Sequence, residues 1–121
     1  KYSSLKDKKI KTLPLIVESG IIGLRTKEIL KVLKKILGEN LFEVAVQKKE
    51  VRSGKGKLRG RKYKNNAGML FVVGEKEKLK TSFFDVENAR NLGVNDLANG
   101  GLGRLTIYTE NAIKYLEEKL K

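Results

Sequence analysis

Apolar residues along this chain gather in five short runs: Leu13–Val17, Phe42–Val46, Met69–Val73, a weaker one at Phe84–Val86, and Leu105–Tyr108. Three of the five are nearly continuous rather than alternating. Continuous runs suit strands buried on both faces, as in parallel sheets covered by helices. All five are therefore predicted as strands. Pro14, near the start of the first, is tolerated only at a strand end or an edge, because it has no N–H for the ladder.

Elsewhere the period changes to that of a helix. Thr26 predicts an N-cap, with Glu28 in the first turn and Ile29, Leu30, Leu33, Ile36 and Leu37 along one apolar face. Gly38 predicts the end of that helix. A short helix is predicted over residues 75–82, and a helical turn from a cap at Asn95 through Leu97. Thr109 predicts the cap of a last helix whose apolar face is Ala112, Ile113, Leu116 and Leu120. Lys119 and Lys121 suit the negative C-terminal end of that helix. The order is β-α-β, a basic loop, then β-α-β-α-β-α. It predicts an α/β fold: a single compact domain over residues 1–121, with an open, mostly parallel sheet flanked by helices and a long basic loop between two strands. No internal repeat is visible.

Composition narrows the chemistry. An apolar share of 40% supplies a core, and 34% charged residues give a heavily charged surface. The chain has no Cys, which excludes disulfides, thiolate catalysis and cysteine-built zinc sites. It has no His, the commonest general base and metal ligand. No apolar run approaches the roughly 20 residues that span a bilayer. The first residues, KYSSLKDKKIK, lack the apolar stretch of a signal peptide. The expectation is a cytoplasmic protein with no membrane partner, cofactor, metal, small-molecule substrate or catalytic residue. Its start at Lys rather than Met reads as a fragment or a processed product.

Charge then singles out one segment. The formal net charge is +13, and residues 48–64, KKEVRSGKGKLRGRKYK, hold nine Lys/Arg against one acid, Glu50. Self-repulsion on this scale has no offset inside the segment, so it calls for a polyanionic partner. Arg52, Lys55, Lys57, Arg59, Arg61, Lys62 and Lys64 are the candidate phosphate contacts. Gly54, Gly56 and Gly60 let the backbone approach phosphates closely, and Tyr63 is placed to stack on a base or ribose. At 48–67 the segment is too long for a tight turn. Loops beyond about 12 residues in compact domains are usually functional or disordered. Its glycines read G-x-G-x-x-x-G, one residue out of step with the dinucleotide motif, and no phosphate-loop motif is present.

A second motif is the glycine-rich turn 97–104, in LANGGLGRLTIYTE. It reads as a simple chain reversal or as a phosphate site, in which Gly100, Gly101 and Gly103 present backbone N–H groups and Arg104 supplies charge. The acidic pairs Glu75/Glu77, Asp85/Glu87 and Glu117/Glu118 read as balanced surface charge rather than acid/base machinery. Tyr2, Tyr108 and Tyr115 read as core-edge or surface aromatics.

These residues carry a resemblance. GKGKLRGRKYKNNAGMLFVVG (54–74) followed by VNDLANGGLGRLTIYTENAI (94–113) resembles the archaeal–eukaryotic branch of the L-four family, large-subunit ribosomal protein four. The order of elements agrees along residues 12–120. The resemblance implies an α/β core with an open, mostly parallel sheet, and a structural role on large-subunit rRNA beside neighbouring ribosomal proteins. Lys55, Lys57, Arg59, Arg61, Lys62, Tyr63 and Lys64 match the family's basic loop; Gly100, Gly101, Gly103 and Arg104 match its turn. The family's turn reads L-A-P-G-G-x-P-G-R-L. Here Asn99 replaces the first proline and the second is missing with a one-residue shortening, which loosens the turn. Nothing here matches the family's N-terminal half with its tunnel extension, so the chain looks like the C-terminal half. The expected function is a non-enzymatic rRNA-binding constituent of the large subunit. The alternatives are an RNA-modifying or nucleotide-using enzyme on a doubly-wound fold, and a free regulatory mRNA-binding protein.

Overall fold

The computed structural model describes residues 13–101 and 103–121. The N-terminal stretch and Tyr2, read above from sequence, lie outside the described residues.

Four strands, β1 (Leu15–Val17), β4 (Leu70–Val73), β5 (Asp85–Asn88) and β6 (Thr106–Thr109), form one sheet in the order β1-β6-β4-β5. Every pairing in it is parallel, with Phe71 level with Ile107 on one side and Val86 on the other. The continuous apolar run of β4 has the cause expected from sequence. Phe71 and Val73 face one cluster with Ile29, Leu33 and Leu37, while Leu70 and Val72 face another with Ala89 and Ala112. The helices covering these faces are α1 (Thr26–Ala45) and α3 (Glu110–Leu120). A five-residue helix, α2 (Val94–Ala98), precedes β6. No helix among the described residues is long and apolar enough to cross a membrane.

Several local expectations change. Phe42–Val46 is not a strand. Gly38 does interrupt α1, with φ of 72° and ψ of 171°, but the chain then resumes as helix through Ala45. Leu41, Phe42 and Ala45 fall at helical spacing on the same core cluster as Leu37, so tertiary burial overrides the β preference of Phe and Val. Thr26 is the first helical residue rather than the cap; the flanking residue is Arg25, whose N–H donates to a Glu28 carboxylate oxygen at 3.1 Å. Asn95 lies inside α2, and the start of α2 is closed by Asp96, which accepts from the Gly93 N–H at 2.9 Å. Thr109 caps α3 as expected, its hydroxyl oxygen accepting from the Ala112 N–H at 3.3 Å.

Residues 75–82 form no helix. They belong to a strap that carries the chain from the end of β4 to the start of β5. Glu77 accepts from the Gly74 N–H at 2.6 Å, the same contact that opens α2 at Gly93 and Asp96, but its carboxylate is also held by Thr109 and Asn111, and no helix follows.

Candidate nucleic-acid interface

The basic segment is a hairpin rather than an open loop. Its strands are β2 (Lys49–Val51) and β3 (Tyr63–Asn65), antiparallel, with Lys49 opposite Asn65, Glu50 opposite Lys64 and Val51 opposite Tyr63. The Arg52 N–H adds a rung to the Lys62 carbonyl at 2.8 Å. A 3-10 turn over Lys55–Leu58 forms the tip, and the N–H groups of Arg59 and Arg61 both donate to the Gly56 carbonyl, at 3.2 and 3.1 Å. Gly54 and Gly60 flank this tip with φ of 75° and 76°, a backbone conformation that L side chains rarely adopt.

Most of the hairpin's charge has no partner within it. Glu50 meets Lys64 at 3.4 Å across the strand pair. Arg52 is partly used by the protein: its Nε donates to the Arg61 carbonyl at 3.2 Å, and its stem lies where a Cβ on Gly56 would fall, 2.9 Å from Arg52 Cδ. Lys55, Lys57, Arg59, Arg61 and Lys62 are exposed and make no ion pair among the described residues. Tyr63 is 47% exposed, with Lys49 Nζ 4.3 Å and Lys62 Nζ 5.6 Å from its ring centroid. A stacking base therefore competes with these lysines for the ring. Sequence reading passed over two members. Lys49 reaches Tyr63 diagonally across the strands, and Leu58 stands 80% exposed at the tip between Lys57 and Arg59. Only the strand register reveals the first of these.

The root of the hairpin is tied to the sheet. Gln47 Nε2 donates to the Ala67 carbonyl at 3.1 Å and to Asp85 Oδ1 at 2.9 Å. Asn66 bridges the two arms, accepting from the Lys48 N–H at 2.6 Å and donating to the Val46 carbonyl at 3.1 Å. Gly68, with φ of 66°, passes so close to the end of α1 that a Cβ would lie 2.6 Å from Gln47 Cγ and 2.9 Å from the Ala45 carbonyl oxygen.

Arg104 belongs to this root, which corrects its assignment as a phosphate ligand. Its side chain is 2% exposed. Nε donates to the Gly68 carbonyl at 3.1 Å and Nη1 to the Asp96 carbonyl at 3.2 Å. Nη2 reaches the carbonyls of Ala67 and Met69 and the carboxylate of Asp85. Buried guanidinium donors demand acceptors, and the protein supplies them here. Asp85, read from sequence as surface charge, is the counter-ion. Gly100, Gly101 and Gly103 are exposed, with φ of 83°, 119° and 75°; the turn they form delivers Arg104 to the interior.

At the other end of the sheet, β1 is followed by a helix on one face and β6 by a helix on the opposite face. That is where doubly-wound folds open a ligand crevice beyond the strands' C-terminal ends. Here Glu77 presents its carboxylate. Besides the Gly74 N–H, its carboxylate accepts from the Thr109 hydroxyl at 3.0 Å and Asn111 Nδ2 at 2.8 Å. The buried Ser19 hydroxyl approaches the same carboxylate without a hydrogen bond of good geometry. Burial by itself would raise the Glu77 pKa, but the hydrogen bonds from Gly74, Asn111 and Thr109 outweigh it and hold the carboxyl below its ordinary range.

No protein-family model matches the chain. Individual proteins do. It is 41% identical over 115 residues to large ribosomal subunit protein uL4 of Saccharolobus solfataricus, covering 88% of this chain and 43% of that protein. It is 39% identical over 119 residues to uL4 of Methanocaldococcus jannaschii, covering 90% and 46%. It is 42% identical over 120 residues to uL4 of Sulfurisphaera tokodaii, covering 93% and 45%. The chain thus spans less than half the length of the curated relatives it matches. Along the segment shared with them, it belongs to the uL4 family of large-subunit ribosomal proteins.

Proposed function

We propose that this chain is a non-enzymatic structural constituent of the large ribosomal subunit that binds large-subunit rRNA through the β2–β3 hairpin. It acts as one domain, on the ribosome in the cytoplasm, beside neighbouring ribosomal proteins. The observation that carries this reading is the exposed hairpin itself. It concentrates cations that have no counter-charge of their own and projects them from a root fastened by Arg104, Asp85 and Gln47. Lys55, Lys57, Arg59, Arg61 and Lys62 take phosphates, with Arg52 and Lys64 dividing their charge between the protein and RNA. Tyr63 offers a ring edge or face to a base. Gly54 and Gly60 keep the tip free of side chains that would hold the backbone away from RNA, while the space beside Gly56 is taken by the Arg52 stem. Gly100 and Gly103 leave backbone N–H groups near the root for the same use, whereas the Gly101 N–H already donates to the Ala98 carbonyl at 3.0 Å. A-form helices hide their base edges in a deep major groove, so a hairpin of this kind reads backbone and shape.

Two further facts support the reading. The relatives are named as large-subunit proteins. At the C-terminal end of the sheet, where a doubly-wound enzyme would seat a nucleotide, Glu77 presents a carboxylate held in its charged form, which repels phosphates. The test is co-sedimentation of the chain with large-subunit rRNA across a salt series. Binding that weakens steeply with salt supports the reading. Indifference to rRNA, with protection of the sheet's C-terminal end by ATP instead, overturns it.

A further inference from the structure

The strap between β4 and β5 separates charges that alternate in sequence. Glu75, Glu77 and Leu79 interleave with Lys76, Lys78 and Lys80. The protein uses the first three. Glu75 pairs with Arg90 at 3.2 Å, Glu77 is held by Gly74, Thr109 and Asn111, and Leu79 packs against the core cluster under α1. The three lysines are exposed and have no ion pair or side-chain hydrogen bond among the described residues. A segment with two acids and three lysines, only +1 by composition, therefore exposes a cationic ridge in three dimensions.

The far end of the ridge is joined to the hairpin. The Gln47 N–H donates to the Phe83 carbonyl at 2.8 Å, and Gln47 Nε2 to Asp85 at 2.9 Å. Strap and hairpin thus meet at Gln47 and Phe83, three residues along the strap from Lys80.

We propose that Lys76, Lys78 and Lys80 form a second RNA-backbone contact, continuous with the hairpin, so that one RNA engages both. This rests on the RNA-binding reading above. RNA is favoured over an acidic protein because the strap is joined through Phe83 and Gln47 to the hairpin already assigned to RNA. Exposed lysines with nothing to hold them are point charges suited to phosphates rather than to a shaped surface.

The test compares four proteins binding full-length large-subunit rRNA over a potassium chloride series: the parent, K76Q/K78Q/K80Q, the hairpin variant K57A/R59A/R61A/K62A, and K27Q/K31Q/K35Q. The last removes three exposed lysines of α1 and makes the same change in net charge elsewhere. The strap variant is expected to flatten the slope of log K against log salt by roughly two to three, from about 0.7–0.9 per phosphate contact, and the α1 variant by less than about one. An unchanged strap slope beside a flattened hairpin slope overturns the second contact and leaves the hairpin reading standing. Equal flattening in the strap and α1 variants shows a general charge effect and also overturns it. Unchanged slopes in both hairpin and strap variants overturn the RNA reading itself.

Discussion

Arg104 and Asp85 stand 19 positions apart in sequence and meet as an ion pair in which the arginine side chain is 2% exposed and the aspartate 44%. The same arginine holds the carbonyls of Ala67, Gly68 and Met69, and the same aspartate accepts from Gln47. One buried cation thereby fixes the strand that leaves the hairpin, and its counter-ion fixes the strand that enters. The hairpin projects from a rigid root although its own two strands are only three residues each.

Removing the arginine takes the side-chain donor from the carbonyls of Gly68, Met69 and Asp96, while Ala67 and Asp85 keep Gln47. Arg104→Met removes the buried charge itself and leaves Asp85, 44% exposed, to turn to water, so its expected cost is that of the unpaired carbonyls, about 1–3 kcal/mol. Asp85→Asn leaves the guanidinium buried with no counter-charge and is expected to cost more, about 3–5 kcal/mol, the usual result of breaking a buried pair from one side. Urea denaturation measures both. In whatever fraction folds, the salt dependence of RNA binding should match the parent. A flatter slope for a folded Arg104 variant would return that residue to the phosphate contacts.

The hairpin cations should behave in the opposite way. Replacing Lys57, Arg59, Arg61 and Lys62 with Ala is expected to flatten the salt slope by about three, at roughly 0.7–0.9 per contact. Thermal stability should stay level or rise slightly as self-repulsion falls. A melting temperature well below the parent's would show the tip to be structural.

Glycines in the same segment differ in what surrounds them. Gly60→Ala meets open space and carries only the left-handed backbone cost, about 1–2 kcal/mol. Gly68→Ala adds a clash with the Ala45 carbonyl and the Gln47 side chain, so its loss should exceed that figure. Equal melting temperatures for the two variants would contradict the close packing of the hairpin exit against α1.

Glu77 ties stability to pH. Its carboxyl is held below the ordinary value of 4.5 in the folded protein. A lowered folded pKa means the stabilisation is fully present above the unfolded pKa and is lost as pH falls through the folded one. Glu77→Gln should therefore be less stable than the parent at pH 7, and the gap should close as the pH drops below about 4. Urea midpoints at pH 7, 4.5 and 3 decide it; a gap independent of pH would show that charge on Glu77 is irrelevant.

Phe71 sits fully buried in β4 with its ring centroid 5.7 Å from that of Phe84. Phe71→Ala is expected to cost about 3–5 kcal/mol, and no compensating repacking is available where both faces of the sheet are covered. A loss under about 1 kcal/mol would place the core elsewhere.

Properties that depend on neighbours along the chain were legible in the sequence. Apolar runs mark where strands lie, and their continuity reflects burial on both faces, so β1, β4, β5 and β6 and their parallel arrangement follow from periodicity and order. Thr109 caps α3 because the bond it makes reaches only three residues ahead. The charge of residues 48–64 is a sum, and no folding changes a sum. Tertiary structure alone decided where side chains point and which partner each one finds. Phe42 and Val44 favour strand locally yet continue α1 past the break at Gly38, because Leu41, Phe42 and Ala45 pack on one core cluster. Glu75 and Glu77 interleave with Lys76, Lys78 and Lys80, but Arg90, Thr109 and Asn111, distant in sequence, take the acids and leave the lysines to solvent. Arg104 reads as a cation in a glycine turn. What sends it inward is a set of acceptors from Ala67 to Met69 and at Asp85, and a buried charge goes where its hydrogen bonds can all be met.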